Sequence, residues 1–419
     1  MAPTLNEEQA SALDSIDGFL SSDASFFVLS GSAGTGKTFC VRELVNRTKG
    51  RFIFTAPTNK ATKVLRESVT RDDYKPECRT IYSLLKLRLE ANGEVKELKA
   101  PEDPIDISAY KAVIVDEASM VNAVLFQHIQ EASKKFKIKF IFLGDAAQLP
   151  PVKELRSPVW ELAFGSKLTK VMRHDNAILV LATALREQVD RFAPSIKLSQ
   201  NNDGEQGIWK YPGIEFEKQI ILDVDAGAFV KPNGSKVIAW RNVEVDKFNS
   251  LIRNRIFPQA SGPWLVGDRV LFTAPAKDID DAPMASTDDE GEVTRVDTEW
   301  HAVHGDMKIF RIAITLDDNR TVVARVLHPE SQVRFAKKVE ELSAAANANS
   351  RKWKDFWEFK DAFHSLRYAY AITAHRAQGS TYDTAFVYWQ DILSNRNRQE
   401  AFRCLYVACT RPRRALVLS

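Results

Sequence analysis

Four unbroken apolar runs mark the first part of the chain: FFVLSG (26–31), RFIFTAP (51–57), KAVIVDEA (111–118) and KFIFLGD (139–145). Runs of this kind are expected of parallel strands covered on both faces. Segments with helical spacing lie between them, such as NAVLFQHIQEASKKF (122–136). Strand and helix in alternation read as a doubly wound α/β domain. LKLRLEANGEVKEL (85–98) breaks the pattern by alternating around Asn92-Gly93. Asn-Gly flanked by alternating residues is the strongest short hairpin signal, so a hairpin projects just before the third strand. From the residues alone it is either a surface decoration or a working part.

A second strand series begins with KVIAW (236–240), followed by the helical NVEVDKFNSLIRNRIF, and resumes with TAFVYW (384–389) and ALVLS (415–419). These pieces read as a second α/β domain interrupted by an insertion. The insertion carries WLVGDRVLFT, EGEVTRVD, MKIFRIAITLDD and RTVVARVLH. Short strands with close turns suggest a small barrel. EELSAAANANSRK (340–352) is polar, alanine-rich and helical or linking. The expected boundaries are 1–84 with 111–175, the hairpin at 85–110, 176–257 with 366–419, and the barrel with a helical extension at 258–365.

Composition adds limits. The chain has 419 residues, enough for two to four domains, with 44% hydrophobic and 27% charged residues, as in ordinary globular proteins. No apolar run approaches the ~18 residues of a membrane span. The start, MAPTLNEEQA, is acidic and lacks the basic and apolar regions of a signal peptide. A cytoplasmic protein is expected, in the host cytoplasm if the source is viral. Cys40, Cys78, Cys404 and Cys409 form no CxxC pair, which points to neither zinc nor a disulfide framework. A net charge of +3 means that any nucleic-acid site must be a local stripe.

The chemistry begins at GSAGTGKT, spaced G-x-x-x-x-G-K-T from Gly31 through Ser32, Ala33, Gly34, Thr35 and Gly36 to Lys37 and Thr38. A strand precedes it and a helix follows, the context a phosphate-binding loop requires. Its backbone N–H groups and the helix N-terminus suit phosphate oxygens. Lys37 is expected to reach the β- and γ-phosphates of ATP, and Thr38 to ligate Mg²⁺. The motif alone does not separate a kinase, a GTPase, a clamp loader or a motor. In VDEAS (115–119), Asp116 is placed to hold the metal and Glu117 to orient and deprotonate the attacking water. In GDAAQLPPV (144–152), Asp145 and Gln148 sit where the γ-phosphate can be sensed. Arg173 in LTKVMRHDNAI and Arg411 in LYVACTRPRRAL offer guanidinium groups suited to charge developing on a phosphate.

The ordered set LNEEQ, GSAGTGKT, TAPTNKAT, TIYSLL, VDEAS, GDAAQLPPV, LTKVMR, YAITAHRAQGSTYD, YVACTR resembles the superfamily 1 helicases of the RecD/Pif1-like, 5′-to-3′ branch over nearly the whole chain. The size and the late WKDFWEFKDAF segment are most similar to bacteriophage members. The resemblance implies two RecA-like P-loop domains with parallel sheets and ATP in the cleft between them. It puts Gln9 on the adenine and makes Arg173 and Arg411 reporters of cleft closure. Gln378 and Gly379 then lie in the motif linking the DNA and nucleotide sites. It puts Pro57, Thr58, Asn59, Thr80, Tyr82 and His375 on the DNA strand, turns the hairpin into a duplex-separating pin, and makes the insertion an SH3-like barrel. Trp353 and Trp357 lie one helical turn apart, with Phe356, Phe359 and Phe363 nearby. Such spacing suits a helix burying its apolar face, while an exposed ring, Trp353 for instance, would stack on a base. Three positions depart from the family pattern: Tyr82 and Asn59, where histidine is usual, and Glu290-Gly291, where the barrel usually has Asn-Gly.

The implied function is an ATP-dependent DNA helicase of phage-type replication or recombination. It would act as a monomer on single-stranded DNA and on single/double-strand junctions, alongside a single-strand DNA-binding protein, with no membrane partner. The alternative is a motor that moves on single strands or displaces proteins without separating duplex.

Overall fold

The computed structural model describes residues 5–48, 50–71, 74–170, 177–191, 206–280 and 282–419. In chain order the first eight strands are β1 (Phe26–Gly31), β2 (Phe52–Ala56), β3 (Glu77–Thr80), β4 (Arg88–Asn92), β5 (Val95–Lys99), β6 (Ala112–Val115), β7 (Lys139–Gly144) and β8 (Gly165–Leu168). Six of them form a parallel sheet in the order β3-β2-β6-β7-β1-β8. The alternation of strand side chains divides its core. Phe27, Leu29, Phe54 and Ile141 face helices Glu7–Ser21, Lys37–Arg47 and Asn59–Val69 through Leu13, Ile16, Leu44 and Leu65. Val28, Ile53, Val113 and Phe140 face helix Ala123–Phe136 through Leu125 and Ile129. Both faces are covered, which is why the central strands are apolar at nearly every position. The outer strands β3 (ECRT) and β8 (GSKL) carry no such signal.

The remaining strands are β9 (Gly207–Lys210), β10 (Ser235–Ala239), β11 (Arg269–Phe272), β12 (Ala276–Lys277), β13 (Pro283–Ala285), β14 (Glu290–Trp300), β15 (Lys308–Leu316), β16 (Thr321–Leu327), β17 (Leu366–Tyr368), β18 (Ala371–Thr373), β19 (Tyr382–Val387) and β20 (Pro412–Leu418). The second parallel sheet runs β18-β10-β19-β20-β9. Between its halves lies an antiparallel sheet, β16-β15-β14-β11-β17, around Val270, Phe272, Val293, Ile312 and Ile314. Because β17 pairs with β11, the insertion extends through Tyr368, slightly past the expected boundary at 366.

Strands β4 and β5 form a separate ribbon, paired from Arg88↔Lys99 to Asn92↔Val95. That register makes Gly93-Glu94 the two turn residues, and Gly93 takes φ +64°. Glycine at the first turn position fits a II′ hairpin. Helix Trp353–Asp361, within the helical extension of the insertion, grips the ribbon. The Trp357 indole N–H donates to the Gly93 carbonyl at 3.0 Å. Lys96 reaches Asp361 at 2.5 Å and lies 4.8 Å from the centroid of the Trp357 ring. Among the described residues no helix is long and apolar enough to cross a membrane. The four cysteines are buried and free.

Candidate functional site

The phosphate-type loop leaves β1 at its carboxyl end, where open α/β sheets place ligands. Its glycines answer to specific crowding. A Cβ on Gly31 would lie 2.6 Å from the Thr35 hydroxyl, and one on Gly36 2.5 Å from the Gln9 amide nitrogen. Gly34 and Gly36 both have positive φ, 81° and 84°. Helix Lys37–Arg47 starts at Gly36 without a side-chain cap, so its first N–H groups face the loop. The Lys37 ammonium folds onto the Gly31 and Ser32 carbonyls at 2.7 and 3.0 Å. Gln9, 2% exposed, donates to the Thr35 carbonyl at 3.0 Å, so it lies against the loop.

Asp116 and Glu117 follow β6. The Glu117 N–H donates to the Asp116 carboxylate at 2.8 Å. Glu117 itself takes φ +53°, a conformation that non-glycine residues adopt at a cost. Its Oε2 is buried and has no hydrogen-bond partner among the described residues. Burial first, then the Asp116 charge, push the Glu117 carboxyl up to about 7, against the pull of Arg411 and Lys37. Burial also raises Asp116, opposed by the Glu117 N–H and Lys37. An elevated carboxyl with a free oxygen is suited to taking a proton. The uncapped helix, Lys37, Thr38 and the paired carboxylates fit a triphosphate with a divalent cation.

The second domain reaches across to these groups. The Gln378 amide donates to Ser119 Oγ at 2.9 Å and to Gln148 Oε1 at 3.2 Å. Arg403 Nη1 donates to the carbonyls of Ala146 and Gln148 at 2.7 and 2.5 Å. The Tyr406 hydroxyl donates to Asp145 at 2.6 Å and accepts from the Ala33 N–H at 3.4 Å. Asp145 also receives Arg186 at 3.1 Å. Arg411, 7% exposed, donates to the carbonyls of Val407 and Ser380 and to the Thr410 hydroxyl, and forms no ion pair among the described residues. Gly379 has φ +74°, and a Cβ there would lie 3.1 Å from Ala61. Arg173 lies outside the described residues.

Lys37, Asp116, Glu117, Gln148, Gln378 and Arg411 therefore share one cleft. Sequence reasoning missed Tyr406, Arg403 and Arg186. Tyr406 stands inside the quoted YVACTR, but a tyrosine on a buried helix reads as core.

The residues expected on a DNA strand are more dispersed in their bonding. Pro57 is buried. Thr58 and Thr80 use their hydroxyls as helix caps, accepting from Ala61 N and Ser83 N, each at 3.1 Å. The Asn59 amide is held by Asp289 at 3.1 and 3.3 Å. Tyr82 is half-buried against the first-domain core. His375 lies 3.6 Å from Glu400, and burial lowers its pKa against the pull of that carboxylate. The expectation of an exposed Trp353 ring is corrected: Trp353 is 8% exposed and packs edge-on against Phe356. The helix turns its apolar face inward, as its spacing allows.

Comparison with known proteins agrees with this geometry. A family model described as an AAA domain matches residues 4–202, and one described as a UvrD-like helicase C-terminal domain matches residues 368–419. The chain is 26% identical over 446 residues to the ATP-dependent DNA helicase dda of Enterobacteria phage T4, with 98% of each chain covered. It is 21% identical over 471 residues to the uncharacterized protein R530 of Acanthamoeba polyphaga mimivirus, covering 92% of this chain and 93% of that protein. Among solved structures, Bacteroides Pif1 bound to ssDNA shares the fold with a TM-score of 0.53 at 17% identity, covering 99% of this chain and 92% of that one.

Proposed function

Because the chain is a superfamily 1 helicase of the RecD/Pif1-like branch, we propose that it couples ATP hydrolysis to 5′-to-3′ movement along single-stranded DNA and to separation of the duplex ahead. The observation that carries this reading is the set of contacts between the two α/β domains at the nucleotide cleft. Gln378, Arg403 and Tyr406 of one domain bond to Ser119, Gln148, Ala146 and Asp145 of the other. A P-loop switch with one α/β domain has no use for such a second half.

In this reading Gly31 to Thr38 cradle the phosphates, Gln9 contacts the adenine, and Lys37 neutralises the β- and γ-phosphates. Thr38 and Asp116 would hold Mg²⁺, which would screen phosphate charge. Glu117 takes the proton as the oxygen of the attacking water bonds to the γ-phosphorus. The bond to the β–γ bridging oxygen breaks, and ADP leaves with that electron pair. Gln148, Arg411 and Arg173 stabilise the charge that develops. Loss of the γ-phosphate removes the partner of the arginines, and the cleft opens. The strand crosses the tops of both domains near Pro57, Thr58, Asn59, Thr80, Tyr82 and His375, so each opening and closing shifts the grip. The gripped hairpin is the pin, and the antiparallel sheet is the SH3-like module. Residues 1–84 with 111–175, and 176–257 with 369–419, form the two motor domains. The biological setting is phage-type replication or recombination, with a monomer working beside a single-strand DNA-binding protein.

The test is ATP turnover with and without single-stranded DNA, with strand separation read on duplexes bearing a 5′ or a 3′ overhang. DNA-stimulated turnover with separation only from the 5′ overhang is expected. Separation only from the 3′ overhang overturns the polarity. Stimulation without separation leaves a single-strand translocase.

A further inference from the structure

Away from the nucleotide cleft, three parts of the chain meet at one carboxylate. Glu290 opens β14, and its side chain is 5% exposed. Lys60, in the first turn of helix Asn59–Val69 of the first domain, donates to Oε1 at 2.5 Å. Lys236, on β10 of the second domain, donates to Oε2 at 2.9 Å. Arg269, on β11 of the insertion, lies 3.8 Å from the same oxygen and pairs with Asp317 at 2.7 Å. Neighbouring bonds span the same junction: Asn59 to Asp289, Lys63 to the Asp317 carbonyl at 2.8 Å, and Arg376 to Asp288. Gly291 lets β14 lie close to β15, since a Cβ there would meet the Thr315 carbonyl at 2.5 Å.

The two oxygens of Glu290 thus serve two different α/β domains. Burial alone would raise this carboxyl, but Lys236, Lys60 and Arg269 hold it well below the usual carboxylate range. Burial pulls Lys236 down to about 8, with Lys60 and Arg269 adding to the effect and Glu290 resisting it. Without the shared anion, two ammonium groups would face each other across the junction. A hydrogen bond fails beyond roughly 3.5 Å. Both bonds therefore persist only while helix Asn59–Val69 and β10 keep this spacing. Lys60 is 21% exposed and Lys236 6%, so Lys60 is the group that can withdraw into water. Glu290 then keeps Lys236 and Arg269, and the buried charge stays compensated.

We infer that Glu290 is a positioning residue for ATP turnover: shared between the two α/β domains, it latches, from outside the nucleotide cleft, the arrangement in which Gln378 and Tyr406 meet Gln148 and Asp145 across that cleft, with Lys60 as the releasing arm. This rests on the reading that ATP binding closes that cleft. A ligand that prefers the closed form is helped by whatever else favours closure, so weakening the latch weakens ATP binding. The hydrolytic groups are untouched once the cleft is closed. An asparagine at position 290, the residue the resemblance leads one to expect, is neutral and could not neutralise two ammonium groups.

The experiment measures KM and kcat for ATP at saturating single-stranded DNA, with thermal melting, for Lys60→Met, Glu290→Gln and the double variant. Lys60→Met leaves Glu290 with two cations and so tests the latch without stranding a buried charge. KM is expected to rise about 10-fold in each single variant, with kcat within about two-fold. The double variant should be no worse than Glu290→Gln alone, because both changes break one interaction. An unchanged KM in Lys60→Met overturns the latch, as does a double-variant KM equal to the product of the single effects. A lowered melting temperature with unchanged KM makes the cluster merely structural and also overturns it. Wild-type turnover indifferent to DNA refutes the helicase reading itself, whereas DNA-stimulated wild-type turnover with unchanged variant KM refutes only the latch.

Discussion

Loosening the grip on the hairpin should divorce strand separation from ATP consumption. A lone two-stranded ribbon is marginal in water, and every residue of β4 is exposed. Leu98 at its base packs on the first-domain core, and the turn end is held by helix Trp353–Asp361. The Trp357 hydrogen bond to Gly93 contributes about 1 kcal/mol. The ammonium of Lys96 over the indole adds roughly 0.5–1 kcal/mol. Its half-exposed pair with Asp361 adds roughly 0.2–1 kcal/mol after screening. The sum is about 2 kcal/mol, close to a 30-fold bias towards the held ribbon. Opening one base-pair step costs about 1.4 kcal/mol. The grip and the load are therefore comparable, and losing the grip should let the ribbon yield. For Trp357→Phe combined with Lys96→Met, duplex separation should fall at least about five-fold, judged from that bias. Turnover stimulated by single-stranded DNA should stay within about two-fold, because among the described residues the ribbon touches no group of the nucleotide cleft. A fluorescence strand-separation assay run beside a phosphate-release assay reads both. Unchanged separation would refute the mechanical role of the ribbon. A parallel loss of turnover would show that the ribbon instead acts through the motor.

Three further outcomes follow from the cleft and the insertion. Lys37→Ala should abolish ATP hydrolysis with an unchanged circular dichroism spectrum; normal turnover would sink the loop's assignment. Glu117→Gln should keep nucleotide binding while turnover drops roughly 10²–10⁴-fold, and a smaller loss would mean that another group takes the proton. His364 is pushed down from 6.5 to about 4, by burial first and then by the Arg325 charge. Its folded pKa lies below the unfolded one, so the unfolded chain takes up the proton first. Stability is then full above about pH 6.5 and is lost as pH falls towards 4, by about 2 kcal/mol at pH 5. Burial lowers His301 and His304 too, in the same direction. Urea midpoints should show the gap between wild type and His364→Gln shrinking from pH 7.5 to pH 5; a constant gap would refute it.

Strands buried on both faces were legible because their apolar runs are long, as in KFIFLGD and KAVIVDEA. The outer strands β3, β8, β9 and β18 were not: they are three or four residues long and lie at sheet edges, where a neighbour's hydrogen bonds and not local pattern select them. The residues of the nucleotide cleft were legible because phosphate chemistry demands particular side chains at fixed spacing. The contacts of Tyr406 with Asp145 and of Glu290 with Lys60 were hidden for another reason. Their partners lie 261 and 230 residues away, beyond any local periodicity. Trp353 shows the opposite error, since an aromatic suited to stacking was suited equally to a core.

The strand order of the second sheet governs how the chain can acquire its structure. Among the described residues β9 pairs only with β20, and β10 sits between β18 and β19, so the early strands of this sheet wait for partners made much later in the chain. The antiparallel sheet pairs β14, β15 and β16 as immediate neighbours and can close by local growth. During synthesis it should form while β9 and β10 are still open edges, prone to stray pairing. The nucleotide cleft, which needs Gln378, Arg403, Tyr406 and Arg411, is then completed only after the antiparallel sheet, and nascent chains should gain ATP affinity only as the second parallel sheet closes.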